Sequence, residues 1–390
     1  MKRITSSSST VLLFVLLFSL SLPKAEAQQP KEILVKTKIQ PTRYLTDNLK
    51  VEKYIPLETN SESLLGRIWS IKFRNDTIFI FSKKRVFVFS PTGKYINTIG
   101  TLGRGPNEMI LPSDFAIIPK SQDIAIWDNV KSSMFFYSLN GEIVKTFRPA
   151  IKRITNFERT DTGAFIYNSQ FTPQSQGNYS IYLSDDSGKE ISGHIPFEEE
   201  TSGYGFLSFS YFPKYQNRQY AWIEYDPIIY RITANNKLNP TYKIKFDSRN
   251  ITESDLIKFK GDTHKLVDYR QRNEYNSLVS FNEFSNCYVI SYVTGRKRNT
   301  NIIYKNHNKQ VRFVIRDESF DPLGSVLPLF KSDECIVGVL QPYLLKSNME
   351  NLQPDVPEQL GSNYSALKKI NSKIKVNDNP VLVVFRVKNE

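Results

Sequence analysis

Four turns recur along this chain at nearly constant spacing. They are Thr92-Gly93-Lys94, Asn140-Gly141-Glu142, Ser187-Gly188-Lys189 and Asn235-Asn236-Lys237, and their central residues lie 48, 47 and 48 positions apart. Each turn follows one short apolar run and precedes another. A repeat of this length cannot bury its own apolar faces and must stack on its neighbours, and when it is built from short strands it is one blade of a β-propeller.

Read with that period, residues 68–73, 78–81, 86–89 and 95–99 form a first blade, and residues 115–118, 124–127, 134–137 and 143–147 a second. The second strands, Ile78-Phe79-Ile80-Phe81 and Ile124-Ala125-Ile126-Trp127, are apolar at every position. A strand covered on one face would alternate, so these are covered on both, as in a sheet packed between two others. Blade 3 runs over 154–195, with strands at 164–167 and 180–184. Blade 4 has strands at 220–225, 228–232 and 242–246, and blade 5 at 278–281, 288–293, 301–304 and 311–315. Blade 6 has strands at 326–330, 336–340 and 380–387. Polar, helix-prone stretches near 248–275 and 341–378 read as insertions. Blade 6 then lacks one strand, while residues 51–57 have no partner. The economical fold is an all-β, six-bladed propeller. Its last blade is closed by residues 51–57 lying beside 380–387, which removes an open edge. One domain, residues 28–390, is expected.

A leader precedes it. Met1-Lys2-Arg3 is basic, residues 11–22 are apolar but short for a membrane span, and Ala25-Glu26-Ala27 has the small-x-small pattern of a cleavage site. The expected product is exported to the periplasm or beyond, soluble and without a transmembrane segment, beginning at Gln28. No cysteine stands near the cleavage site to carry a lipid. The two cysteines, Cys287 and Cys335, are 48 residues apart, one repeat. Equivalent positions on packed sheets are ~10 Å apart, beyond disulfide reach, so two buried free thiols are expected.

Several segments resemble a family of exported bacterial six-bladed β-propellers related to NHL-type propellers. They are Ile55-Pro56-Leu57-Glu58-Thr59, Val88-Phe89-Ser90-Pro91-Thr92-Gly93-Lys94, Gly100-Thr101-Leu102-Gly103-Arg104-Gly105-Pro106-Asn107-Glu108, Asp114-Phe115 and Asn379-Pro380-Val381-Leu382-Val383. This chain has Asn107 where that family has glycine and Met109 where it has an aromatic. The resemblance implies the fold. It says less of function, because propellers host unrelated activities.

Strand polarity sorts the connections. The loop entering a blade and the loop joining its second and third strands share one face, where propellers commonly bind ligands. Candidate ligand-binding residues on that face are Arg104, Asn107, Glu108, Asp114, Asp128, Tyr225, Asp226, Arg296 and Arg298. Arg104, Lys83-Lys84-Arg85, Lys131 and Arg296-Lys297-Arg298 would form a basic lip, consistent with a formal net charge of +13. The plain alternative is dispersed surface charge. Glu224 and Glu283 join Glu108, Asp114, Asp128 and Asp226 as acidic residues near strand ends. Such oxygens suit Ca²⁺, or serve as turn caps. Trp127, Trp222 and Tyr225 are candidates for stacking on sugars, against a role in the core between blades.

Catalytic motifs are missing. His194, His264 and His307 lack zinc-ligand spacing, no G-x-S-x-G elbow occurs, and the glycines around Arg104 open no helix of a βαβ unit. Nucleic acid is excluded as a partner, since no recognition motif accompanies the charge. The expectation is a non-enzymatic binding propeller without cofactor, its partner a glycan, a peptide or an envelope protein. The alternative is a channel-metal hydrolase or lyase, with Ca²⁺, acting on a small ester, lactone or sugar.

Overall fold

The computed structural model describes residues 29–389 apart from 120, 176, 186, 206–210, 308, 315–322, 324–328 and 333. The leader expected over residues 1–27 lies outside the described residues, as do 326–328 of the expected first strand of blade 6.

Six sheets are arranged as blades. Two strands come first, β1 (Lys31–Val35) and β2 (Leu49–Pro56). Blade 1 is β3 (Ile68–Arg74), β4 (Thr77–Ser82), β5 (Arg85–Phe89) and β6 (Tyr95–Ile99). Blade 2 is β7 (Pro112–Ile117), β8 (Ile124–Asp128), β9 (Ser133–Tyr137) and β10 (Ile143–Phe147). Blade 3 is β11 (Asn156–Arg159), β12 (Phe165–Asn168), β13 (Tyr179–Ser184) and β14 (Glu190–Pro196). Blade 4 is β15 (Lys214–Tyr215), β16 (Arg218–Ala221), β17 (Ile228–Ile232) and β18 (Leu238–Phe246). After helices α1 (Glu253–Phe259) and α2 (Thr263–Arg272), blade 5 is β19 (Asn276–Glu283), β20 (Cys287–Thr294), β21 (Lys297–Tyr304) and β22 (Gln310–Val314). Blade 6 is β23 (Leu329–Ser332) and β24 (Cys335–Leu340), then helices α3 (Pro342–Glu350), α4 (Val356–Leu360) and α5 (Ser362–Asn371), then β25 (Val381–Val387).

The closure expected from sequence is present. β2 pairs antiparallel with β25, Leu49 opposite Val387 and Pro56 opposite Val381, and forms the outer strand of blade 6. The continuous apolarity of β4 and β8 has its cause in the packing. Ile78 and Ile80 enter a core shared with Val337, Val339 and Leu382 of blade 6. Phe79 and Phe81, on the other face, enter a core shared with Phe115, Ile124 and Ile126 of blade 2.

The repeated turns join third to fourth strands. Gly93, Gly141, Gly188 and Asn236 have φ of 86°, 86°, 81° and 55°, the left-handed region that glycine and asparagine tolerate best. Ser90, Ser138, Asp185 and Thr233 accept the turn-closing N–H through their backbone carbonyls. In blades 1 to 3 a bulge follows the first pair beyond the turn, whereas in blade 4 it comes after three regular pairs. One chemistry therefore produces the period seen in the sequence.

Four details depart from expectation. β16 ends at Ala221 rather than continuing to 225, and the chain turns at Tyr225 with φ of 67°. Residues 297–300 are strand rather than loop, so only Gly295 and Arg296 join β20 to β21. Both cysteines are free, but Cys335 is half-buried where a buried thiol was expected. The fourth is β1, which lies parallel to β18 on the outer edge of blade 4. From there the N-terminal segment runs around the rim. Gln310 on the outer strand of blade 5 accepts from the Lys36 N–H at 3.0 Å and donates to the Leu34 carbonyl at 2.6 Å. Arg312 donates to the Ile39 carbonyl at 2.8 Å. The outer edges of blades 4, 5 and 6 are all covered by this one stretch, which blunts edges that would otherwise pair with other chains.

Candidate functional site

Polarity makes the faces unequal. Connections that enter a blade or join its second and third strands include the loop over 100–111, both helical stretches and turns such as Lys83-Lys84, and the face they share is here called the loop face. The other set consists of short hairpin turns, such as Asn75-Asp76 and those carrying Gly93 and Gly141.

The channel wall comes from the first strand of each blade. Lys72 on β3 reaches past blade 2 to Glu158 on β11, Nζ to Oε2 2.7 Å, and donates to the Phe115 carbonyl at 2.6 Å. Asp114 on β7 is buried and accepts the Phe157 N–H at 3.0 Å, tying blade 2 to blade 3. Burial pushes the Asp114 carboxyl up to about 6, with Lys72 opposing. Burial also raises Glu158, but Lys72 and Lys214 more than reverse it, and its carboxyl stays below the ordinary value. Lys72 itself is held above its ordinary value, the two carboxylates outweighing burial. These groups satisfy one another across three blades.

Three of the candidate residues share the loop over 100–111, which folds on itself. Glu108 turns inward and accepts the Gly105 N–H at 2.7 Å. A Cβ on Gly103 would stand 2.0 Å from the Glu108 carboxylate, so a larger residue there would push that carboxylate aside. Asp128 clamps the loop from beneath: Oδ2 accepts from Ile110 and Leu111 at 2.5 and 2.7 Å, Oδ1 from Val130 and Lys131 at 2.9 and 2.7 Å. Both oxygens are committed to backbone, which makes Asp128 a loop organiser. Arg104 and Asn107 stand exposed at the tip.

Tyr225 and Asp226 lie apart from that loop, in a cleft between blades 4 and 5 lined also by Asn250, Ile251, Asn276 and Ser277. Asp226 accepts from the Ile228 N–H at 2.9 Å and the Tyr230 hydroxyl at 2.8 Å. Burial raises its carboxyl, those two donors opposing. Tyr225 is half-buried, and burial pushes its phenol up to about 12. Beneath them Glu224 is buried, with the Tyr211 hydroxyl donating to it and Gln170 donating to that hydroxyl at 3.2 Å. Burial pushes Glu224 up to about 7.

Arg296 and Arg298 diverge. Arg296 donates to Gln271 of α2 at 3.1 Å. Arg298 is half-buried, and burial together with the nearby Arg67 lowers its pKa. Arg67 itself belongs to a group that the sequence did not mark. Arg67 stacks on Trp69, guanidinium carbon to ring centroid 4.1 Å. The β3–β4 pairing slips between Ile68 and Ser70, and Trp69 is the extra residue. The same bulge occurs in β7 at Ser113 and in β19 at Val279. Bulges re-aim side chains and gather beside functional sites. Trp69 is 37% exposed, whereas Trp127 and Trp222, the candidates for sugar stacking, are fully buried. No pattern in the sequence marks a bulge.

Lys83 and Lys84 form the neighbouring turn with φ of 47° and 61°. A two-residue turn with both φ positive favours Asn-Gly, and side chains such as lysine cost about 1 kcal/mol or more there. The matching turn on the other face of blade 1 uses Asn75-Asp76, with φ of 45° and 62°. Local strain is thus tolerated where it puts two cations on the loop face.

Among the described residues no three His, Cys, Asp or Glu side chains converge as a metal would need, and no helix is long and apolar enough to cross a membrane. The profile of a family described as a domain of unknown function, DUF4934, matches residues 34–386. Among solved structures, a Bacteroides fragilis protein described as exported superposes with a TM-score of 0.75 at 18% identity, over 92% of this chain and 100% of that one. A member of the DUF4221 family from Bacteroides vulgatus superposes with a TM-score of 0.50 at 12% identity, over 88% of this chain and 99% of that one. At such identities the likeness is one of fold. No curated protein matches the sequence.

Proposed function

The chain belongs to the DUF4934 family, and we propose that it is an exported, non-enzymatic binding propeller that captures a glycan or another anionic ligand on its loop face. The observation that carries this reading is the asymmetry of the ring. The helices, the loop over 100–111 and the strained Lys83-Lys84 turn all belong to one face. A rigid scaffold carrying elaborated loops on one side is the usual form of a recognition surface. The leader supports export through its basic start, short apolar core and Ala25-Glu26-Ala27.

The alternative, a Ca²⁺-dependent hydrolase of the channel, would draw on Asp114. That carboxylate shares the wall with Lys72 and Glu158, and the lysine ammonium already occupies the place beside them that a cation would take. This favours binding over metal chemistry.

A thermal-shift panel of acidic oligosaccharides, neutral oligosaccharides and divalent cations tests the reading. Stabilisation by an acidic oligosaccharide that weakens with salt is expected, because screening removes surface attraction. Selective stabilisation by Ca²⁺, lost in Asp114→Ala, would overturn it.

A further inference from the structure

We infer that the corner of the loop face formed by Arg67, Trp69 and Lys83 is a subsite for a carboxylate-bearing sugar residue. The inference rests on the binding reading above and names a place and a ligand class within it.

Three observations converge there. The first is the bulge that takes Trp69 out of the cores between blades and leaves it 37% exposed at the start of an innermost strand. An indole of this kind offers a flat apolar face beside polar groups, the surface that the C–H face of a sugar ring covers. Second, the Arg67 guanidinium lies 4.1 Å from that ring's centroid. Stacking holds the guanidinium plane in place, and its fork matches a carboxylate in bidentate fashion. Third, a second cation lies beside it. The Lys83 Cγ lies 3.2 Å from where a Cβ on Gly66 would stand, so the lysine stem crosses the residue before Arg67. Two like charges brought near each other repel, and an anion between them relieves the repulsion.

A bare anion would need the cations alone. A neutral sugar would need the indole alone. The pairing of the two specifies a uronic acid or a similar acidic saccharide.

Tryptophan fluorescence reads this corner selectively, since Trp127 and Trp222 are fully buried. The leaderless chain would be titrated at low ionic strength with trigalacturonate, with a neutral galactose trimer and with inorganic phosphate. Trigalacturonate is expected to shift the emission, and Trp69→Phe to abolish that shift. Arg67→Ala is expected to weaken binding tenfold or more by calorimetry, and Arg67→Lys to restore part of it. Thermal melts verify that each variant is folded. Equal binding of phosphate and trigalacturonate, both insensitive to Trp69→Ala, would reduce the corner to a general basic lip and overturn the inference. Trigalacturonate binding that survives Arg67→Ala and Trp69→Ala but is lost in Arg104→Ala would overturn this subsite while leaving the binding propeller standing. No response to any saccharide or to phosphate would overturn both.

Discussion

Lys72 and Glu158 meet at 2.7 Å although a complete blade separates the sheets that carry them. Their contact fixes the relative positions of blades 1 and 3, and Asp114 of blade 2 lies beside it. Replacing the lysine by methionine leaves two carboxylates in a partly buried wall with only Lys214 to offset Glu158. Breaking a fully buried pair costs about 3–5 kcal/mol, and with side chains 22% and 18% exposed this pair lies at or below the lower end of that range. Lys72→Met is therefore expected to lose stability of that order at pH 7, measured by urea unfolding. The loss should shrink on acidification. In the wild type Glu158 is held below its ordinary value of 4.5, and its contribution is lost only as pH falls through that lowered value. In the variant protonation instead relieves an unpaired charge. A deficit that is the same at pH 5 and pH 7 would contradict this account.

Glu224 has the opposite sign. Its carboxyl is raised from 4.5 to about 7 by burial, so its contribution to stability is complete below the unfolded value and declines as pH rises from 4.5 towards 7. Glu224→Gln keeps an acceptor for the Tyr211 hydroxyl and removes the titration. By pH 8 the variant should exceed the wild type by up to about 3 kcal/mol, from 1.36 kcal/mol per pKa unit. Below pH 4.5 the advantage should vanish. Unfolding curves at pH 4, 6 and 8 test this, and parallel pH profiles for the two proteins would refute it.

The Lys83-Lys84 turn gives a trade between stability and capture. Lys83→Asn combined with Lys84→Gly supplies the residues that a turn with two positive φ angles prefers. The double variant is expected to gain about 1–2 kcal/mol and to bind acidic oligosaccharides more weakly than the wild type. Chemical denaturation and calorimetry read the two effects separately. A variant no more stable than the wild type would show that the turn carries little strain.

Cys287 and Cys335 should differ in reactivity. Cys287 is fully buried, and burial pushes its thiol up to about 12, while Cys335 is half-buried. Thiolate is the reactive form, so one thiol of the native protein should react with a disulfide reagent and the second only on unfolding. Equal rates for both would show that blade 5 opens as readily as its neighbour's edge.

The ring was legible in the sequence because its cause is local and repeated. The same four-residue turn returns at Gly93, Gly141, Gly188 and Asn236, and fully apolar second strands such as Ile78–Phe81 announce cover on both faces. The unpaired run at 51–57 pointed to its partner by elimination. The candidate site was less legible. Asp128 reads as a ligand, but its chemistry is spent on four N–H groups that no sequence pattern brings to it. Trp69 was missed because a bulge shifts alternation by one residue without altering composition. β1 escaped notice because it lies outside the repeat and its parallel partner, β18, is more than 200 positions away.

The latch between β2 and β25 has a consequence for how the molecule comes into being. β2 waits for a partner more than 300 positions further on, so the nascent polypeptide carries an incomplete blade until β25 has been made. Contacts so distant in sequence form slowly. The interval before closure leaves apolar strands uncovered and prone to aggregate, and a chain cut short of β25 would leave a circle that never shuts.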